Sequence, residues 1–165
     1  MTTVFSYVRL ILFLGGVLIG VQLPVFVDQY GKSLEAHFLE SGQNLNEFQN
    51  DAQKYFNGDM EKLIAYYKKN GDPVFLDGGE SIQSIYHRYL ELKNAMSNFT
   101  EGTWSAYTQA FFHPVPDIQE EVMKNYSYSV KLDLGAILFG LMCGFVLALF
   151  GEAILRVIVG AVVAV

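Results

Sequence analysis

Three histidines (His37, His87 and His113), one cysteine (Cys143) and 17 carboxylates carry most of the reactive chemistry in this 165-residue chain. A structural or catalytic metal asks for ligands at short, regular spacings, such as two histidines one helical turn apart. None of the three histidines has such a neighbour. Serine nucleophiles sit on turns such as GxSxG and phosphates on glycine-rich loops, and the chain contains neither pattern. Gly78-Gly79 reads as a simple turn. General acid–base work beside a membrane would draw on Asp51, Asp59, Asp72 or His113. For Asp59, Gly71, Asp72 and Pro73, turn chemistry is the cheaper explanation: Asp caps a helix, Gly permits positive φ and Pro ends helices. The residues therefore define no catalytic, cofactor-binding or metal-binding set, and the chain reads as a non-enzyme.

The elements that hold these side chains follow from how charge is distributed. Residues 10–27 and 134–150 contain no Asp, Glu, Lys or Arg, while residues 28–133 carry every charged side chain except Arg9, Glu152 and Arg156. An 18-residue helix is roughly 27 Å long, close to the hydrocarbon thickness of a bilayer. Residues 10–27 therefore read as a first transmembrane helix behind a short cytoplasmic segment, 1–9. A cleaved signal peptide is the competing reading, but the exit Gln22-Leu23-Pro24-Val25-Phe26-Val27-Asp28 lacks the small residues a peptidase needs. The second apolar run extends from Leu134 to Val165, roughly 48 Å as one helix, too long for the membrane core. A break is expected near Gly151, giving a span over 134–150 and an interfacial or cytoplasmic-side extension over 151–165. Glu152 and Arg156, at i,i+4, are expected to form an interfacial ion pair.

Small residues recur at Ala136, Gly140, Gly144 and Ala148 in the second span, and Gly16 and Gly20 repeat the spacing in the first. In lipid, close backbone approach at small residues favours helix association, so these six positions are the expected helix-packing or partner interface. Two spans return the chain to its starting side, and Arg9 with Arg156 beside the ends favours cytoplasmic termini and an outward-facing 28–133. Lys124 and Lys131 blunt that charge bias.

Between the spans, helical spacing dominates. Leu34, Phe38, Leu45, Phe48, Ala52 and Tyr55 follow a 4,3 repeat in which only Ser41 breaks the apolar stripe. Asn57-Gly58-Asp59 ends that helix and starts one with Met60, Leu63, Ile64 and Tyr67 on a single face. Asn70-Gly71-Asp72-Pro73 stops it, Val74 to Glu80 reads as a loop, and Ser81 is expected to cap a third helix bearing Ile82, Ile85, Tyr89, Leu92, Met96 and Phe99. Trp104, Tyr107 and Phe111 mark a short fourth helix. Asp117 with Glu120 makes a capping-box-like start for a fifth, with Ile118, Val122 and Tyr126. The expected fold is an all-α membrane protein: two transmembrane helices flanking an extramembrane antiparallel helical bundle.

The run Phe48…Asp51-Ala52…Tyr55-Phe56-Asn57-Gly58-Asp59…Leu63-Ile64-Ala65-Tyr66-Tyr67…Gly71-Asp72-Pro73-Val74-Phe75 resembles a family of small bacterial membrane proteins known only as a domain of unknown function. Pro24…Phe26-Val27-Asp28-Gln29-Tyr30 and His113-Pro114 fit the same pattern, so the resemblance covers nearly the whole chain. It implies a two-span protein of the bacterial inner membrane, for which the outward-facing 28–133 would be periplasmic, and it supplies no activity, substrate or site residue.

A net charge of −6 argues against nucleic acid as a partner. Asn98-Phe99-Thr100 and Asn125-Tyr126-Ser127 match glycosylation sequons and carry little weight as short tripeptides. The leading functional expectation is an accessory, scaffolding or assembly subunit that binds a larger membrane complex or self-associates, with the lipid bilayer as its other partner and no cofactor. The alternative is a ligand-sensing helical module that signals through a partner. A membrane-associated enzyme or lipid-handling protein is the lesser alternative.

Overall fold

The computed structural model describes residues 2–126 and 134–163, and every regular element among them is an α-helix. They are α1 (Thr2–Phe56), α2 (Met60–Lys69), α3 (Pro73–Thr100), α4 (Thr103–Phe111), α5 (Pro116–Lys124) and α6 (Leu134–Val163). Two of these, α1 and α6, contain stretches long and apolar enough to cross a membrane. Lys131, the Ser127 of the second sequon and the last two tail residues fall outside the described residues. The chain divides into two compact units, Met1–Asp28 with Asn125–Val165, and Gln29–Lys124.

In the first unit, α6 differs from expectation in its continuity. No break occurs near Gly151: α6 runs through Gly151 and Glu152 as far as Val163. The segment has no proline, and Gly151 sits against the Leu12 side chain, where a Cβ would collide, so the glycine serves a close contact inside a helix. Pro24 likewise lies inside α1 without ending it. Tyr126 packs its ring 6.0 Å from Phe26 and donates its hydroxyl to Gln22 Oε1 at 2.6 Å.

In the second unit, one core forms from Leu45 and Ala52 of α1, Met60, Leu63 and Ile64 of α2, and Ile82 of α3. Phe48, Phe56, Tyr67, Ile85, Tyr86 and Tyr89 pack against it. The expected stripe on α1 holds at Leu34, Leu45 and Ala52, which are fully buried, but Tyr55 is exposed. Tyr30 is also fully buried; its hydroxyl accepts a hydrogen bond from the Val115 N–H at 3.0 Å and anchors the turn between α4 and α5.

Helix α1 runs unbroken through residues 28–33, where Gly31 faces the Phe99 ring and leaves it room. Two expected boundaries move, each for a local reason. Val74 to Glu80 is helical, because the Asp72 carboxylate accepts from the Val74 N–H at 2.9 Å and Pro73 occupies the first helical turn. Asp72, and not Ser81, is therefore the cap of α3. Gly78-Gly79 is helix interior, with Gly79 buried where an added Cβ would lie 2.8 Å from Lys68 Cγ and 3.2 Å from the Lys68 backbone nitrogen. Helix α5 begins at Pro116, which leaves Asp117 inside its first turn, paired with Arg88. The turn before α2 matches its expected chemistry: Asn57 and Gly58 have φ of 53° and 83°, and Asp59 accepts from the Lys62 N–H at 3.1 Å.

These contacts predict opposite outcomes for two helical glycines of the second unit. Gly42→Ala meets only Tyr89 at an ordinary 3.6 Å and should stabilise by up to ~1 kcal/mol through helix propensity. Gly79→Leu must displace the α2 backbone and should destabilise by roughly 1–3 kcal/mol. Thermal unfolding followed by circular dichroism in mild detergent separates the two.

Candidate functional site

The small residues of the two apolar helices meet within the first unit. A Cβ added to Gly16 would lie 2.7 Å from Gly144 Cα, and one added to Gly20 would lie 2.9 Å from Gly140 Cα. Seen from α6, a Cβ on Gly140 would stand 3.0 Å from the Val17 carbonyl and one on Gly144 2.7 Å from the Phe13 carbonyl. The four glycines thus form a backbone-to-backbone contact inside a single chain, and Ala136 and Ala148 are buried. Leu10, Leu14, Leu18, Leu138 and Phe145 remain more than half exposed. Arg156 reaches Glu152 at 2.6 Å, and Arg9 approaches the other oxygen of that carboxylate at 3.6 Å, so the pair read from the sequence is part of a three-residue group.

A second arrangement lies in the second unit. His37, Glu40, Ser41 and Asn44 fall at helical spacing on one face of α1, and Ser84, Ile85, Arg88 and Leu92 do the same on α3. Together they line a cavity of about 300 Å³. Ser41, the residue that interrupts the apolar stripe, is 8% exposed, and its hydroxyl has no hydrogen-bond partner among the described residues. The charged groups around it are held from the side. His37 Nε2 lies 2.7 Å from Glu121 on α5, Ser33 donates to the same carboxylate at 3.1 Å, and Arg88 pairs with Glu91 at 2.8 Å and with Asp117. The His37 hydrogen bond holds the Glu121 carboxyl below its ordinary value against the opposing effect of desolvation, with a lesser contribution from Ser33. Burial works against the Arg88 charge, but the hydrogen bonds and charges of Glu91 and Asp117 outweigh it and hold the guanidinium above its ordinary value.

The residues singled out for acid–base work have separate roles. Asp59 and Asp72 cap α2 and α3. His113 is exposed in the turn after α4, where its carbonyl accepts from Gln109. Asp51 lines a different cavity with aromatic neighbours. Among the described residues, no three His, Cys, Asp or Glu side chains converge as a metal site. Sequence reasoning passed over the Ser41 groove; its only signal was the polar residue in an otherwise apolar stripe.

An all-helical chain with two helices able to cross a membrane, and a second helical unit holding a polar groove, defines a class of architecture and no reaction. The chain belongs to the family described as protein of unknown function (DUF2937), whose model matches residues 4–163. No curated protein and no solved structure matches it.

Two outcomes are expected from these sites. The double variant Gly140→Leu/Gly144→Leu overpacks the α1–α6 contact and should lose roughly 2–6 kcal/mol of stability in detergent. An unchanged midpoint would remove the four glycines from any packing role. Because the folded Glu121 carboxyl has the lower pKa, its stabilisation is fully present above the ordinary carboxylate range and is lost as pH falls through its lowered value. The Glu121 side chain is 46% exposed, so Glu121→Gln should cost less than ~1 kcal/mol at neutral pH. That difference should vanish in melts taken at strongly acidic pH.

Proposed function

We propose that this protein is a non-enzymatic two-span protein of the bacterial inner membrane whose extramembrane helical domain binds a small polar ligand. In this reading the termini are cytoplasmic, residues 28–133 form an antiparallel bundle in the periplasm, and ligand occupancy is passed to a partner. The observation that carries it is the buried, unpartnered Ser41 hydroxyl in a cavity of about 300 Å³. A buried polar group without a hydrogen bond costs stability, and its retention beside a polar cavity supports a ligand that completes it. The surrounding side chains offer donors and acceptors together: Asn44, Ser84, His37, Arg88 and Glu40. Small-ligand sites combine few convergent polar groups with an apolar wall, here Ile85 and Leu92.

The glycine ladder that motivated a partner-binding membrane face is occupied within the chain, which leaves it less able to recruit another protein. An accessory or scaffolding subunit remains the second reading, favoured by large apolar side chains left in solvent on the second unit. Val74, Trp104 and Phe112 are each at least 76% exposed. Isolated apolar side chains are common on surfaces, and a partner is needed only where they cluster.

Ser41→Val separates the readings. With an unpaired hydroxyl removed, the ligand-free protein should gain about 1–3 kcal/mol, read as a raised thermal midpoint. The same variant should lose any small molecule that native mass spectrometry finds on the wild-type protein. A destabilised variant would show that the hydroxyl already has a partner, and the ligand reading would lose its support. A stoichiometric protein recovered with the tagged chain from mild detergent would favour the accessory role.

A further inference from the structure

A second cavity in the same unit shares no residue with the Ser41 groove. It is about 340 Å³ and is lined by Asp51, Tyr55 and Phe56 at the end of α1 and by Leu63, Tyr66 and Tyr67 on α2. Four of its six lining residues are aromatic, and the only charge among them is a carboxylate. The rings stand at angles to one another and do not form a flat stack: Phe56 and Tyr66 are 5.6 Å apart at 52°, and Tyr66 and Tyr67 are 6.5 Å apart at 77°.

Core packing accounts for Leu63, Phe56 and Tyr67, which belong to the core or pack against it, but not for the other two rings. Tyr55 is 64% exposed and Tyr66 is 59% exposed, although each carries a large apolar surface. Tyr55 stands on the 4,3 stripe of α1, where the sequence pattern calls for burial, and is left in solvent. The Tyr55 ring engages one cation already, the Lys54 ammonium, which lies 4.8 Å from its centre. Lys54 reaches that ring without lining the cavity, and Lys62, the nearest lysine of the first α2 turn, is paired with Asp59 at 3.0 Å.

We propose that this cavity is an aromatic cage for a quaternary ammonium group, with Tyr55, Tyr66 and Tyr67 presenting π faces to its methyl groups and Asp51 balancing its charge. A quaternary ammonium has no N–H, so it gains little from hydrogen-bond acceptors and much from polarised ring faces, the chemistry that aromatic cages exploit. A carboxylate at the edge adds charge complementarity without requiring a donor. The cavity exceeds the volume of a trimethylammonium group and leaves room for the chain attached to it. The same headgroup chemistry is found in free choline-like solutes and in phosphatidylcholine, and the experiment separates them.

The test uses the full-length protein in nanodiscs of phosphatidylglycerol, which contain no quaternary ammonium. Calorimetric titration with choline chloride should give saturable binding with Kd on the order of 1 mM or tighter. The neutral isostere 3,3-dimethylbutan-1-ol, of nearly the same shape, should bind at least about tenfold more weakly, because it lacks the charge that the π faces and Asp51 attract. Tyr66→Ala and Asp51→Asn should each weaken choline at least about fivefold. Tyr66→Phe keeps the ring and should retain binding, which distinguishes a cage from a fold defect. Displacement of choline by added phosphatidylcholine vesicles assigns the site to a lipid headgroup, and no displacement assigns it to a free solute. Equal binding of choline and its neutral isostere, or no saturable choline binding up to about 100 mM, would falsify the proposal. Either result leaves the Ser41 groove untouched, since the two cavities have no residue in common.

Discussion

Where α1 meets α6, Gly16 and Gly20 stand against Gly144 and Gly140, and a methyl added to any of the four would fall closer than 3.0 Å to a neighbour's atom. Between two helices in lipid, burial of apolar side chains offers little driving force, because the alternative environment is equally apolar. What remains is dispersion and backbone contact, both of which fall off steeply with distance. Removing side chains from the seam is the direct way to shorten that distance. The same device recurs in the second unit, where Gly79 lets α3 close on the backbone of α2 and Gly31 makes space for Phe99. Glycine interrupts helix propensity in each of these elements, at about 1 kcal/mol per site relative to alanine. Packing outweighs that penalty, so helices that look breakable from composition run through unbroken.

The second unit places its polar side chains in two ways. At the ends of helices they complete the backbone: Asp59 and Asp72 accept from free N–H groups, and the Tyr30 hydroxyl accepts the Val115 N–H inside the core. Around the Ser41 groove they face a cavity, with His37 and Arg88 oriented by Glu121, Glu91 and Asp117. Held in this way, the lining groups have already lost much of their side-chain freedom, which is the physical content of preorganisation. The aromatic cavity between the end of α1 and α2 has the opposite character, with ring faces and a single carboxylate.

Helical periodicity, the two charge-free runs and the turn residues at Asn57-Gly58-Asp59 were legible in the amino-acid order, because each depends on residues near one another along the chain. So were Leu34, Leu45, Ala52, Leu63, Ile64, Ile82 and Leu92 as buried positions, through their 3.6-residue recurrence. Helix boundaries were less so. Gly78-Gly79 and Gly151 have the composition of breaks, and only their contacts with Lys68 and Leu12 show them to be places of close packing. Capping by Asp72 in place of Ser81 turned an expected loop into two turns of helix, a choice between two competent caps nine residues apart.

Sequence alone determined the all-helical character, the two helices apolar enough for a membrane and membership of a family, since these follow from local propensity and composition summed over long windows. Tertiary structure decided which glycines meet, which stripe residue is left without a partner, and which aromatic side chains stay in solvent around a carboxylate. Ser41 and Tyr55 lie on one stripe of one helix, yet Ser41 is buried and Tyr55 is exposed. The difference comes from what α2 and α3 bring against each position, and contacts between residues distant along the chain leave no periodic trace in their order.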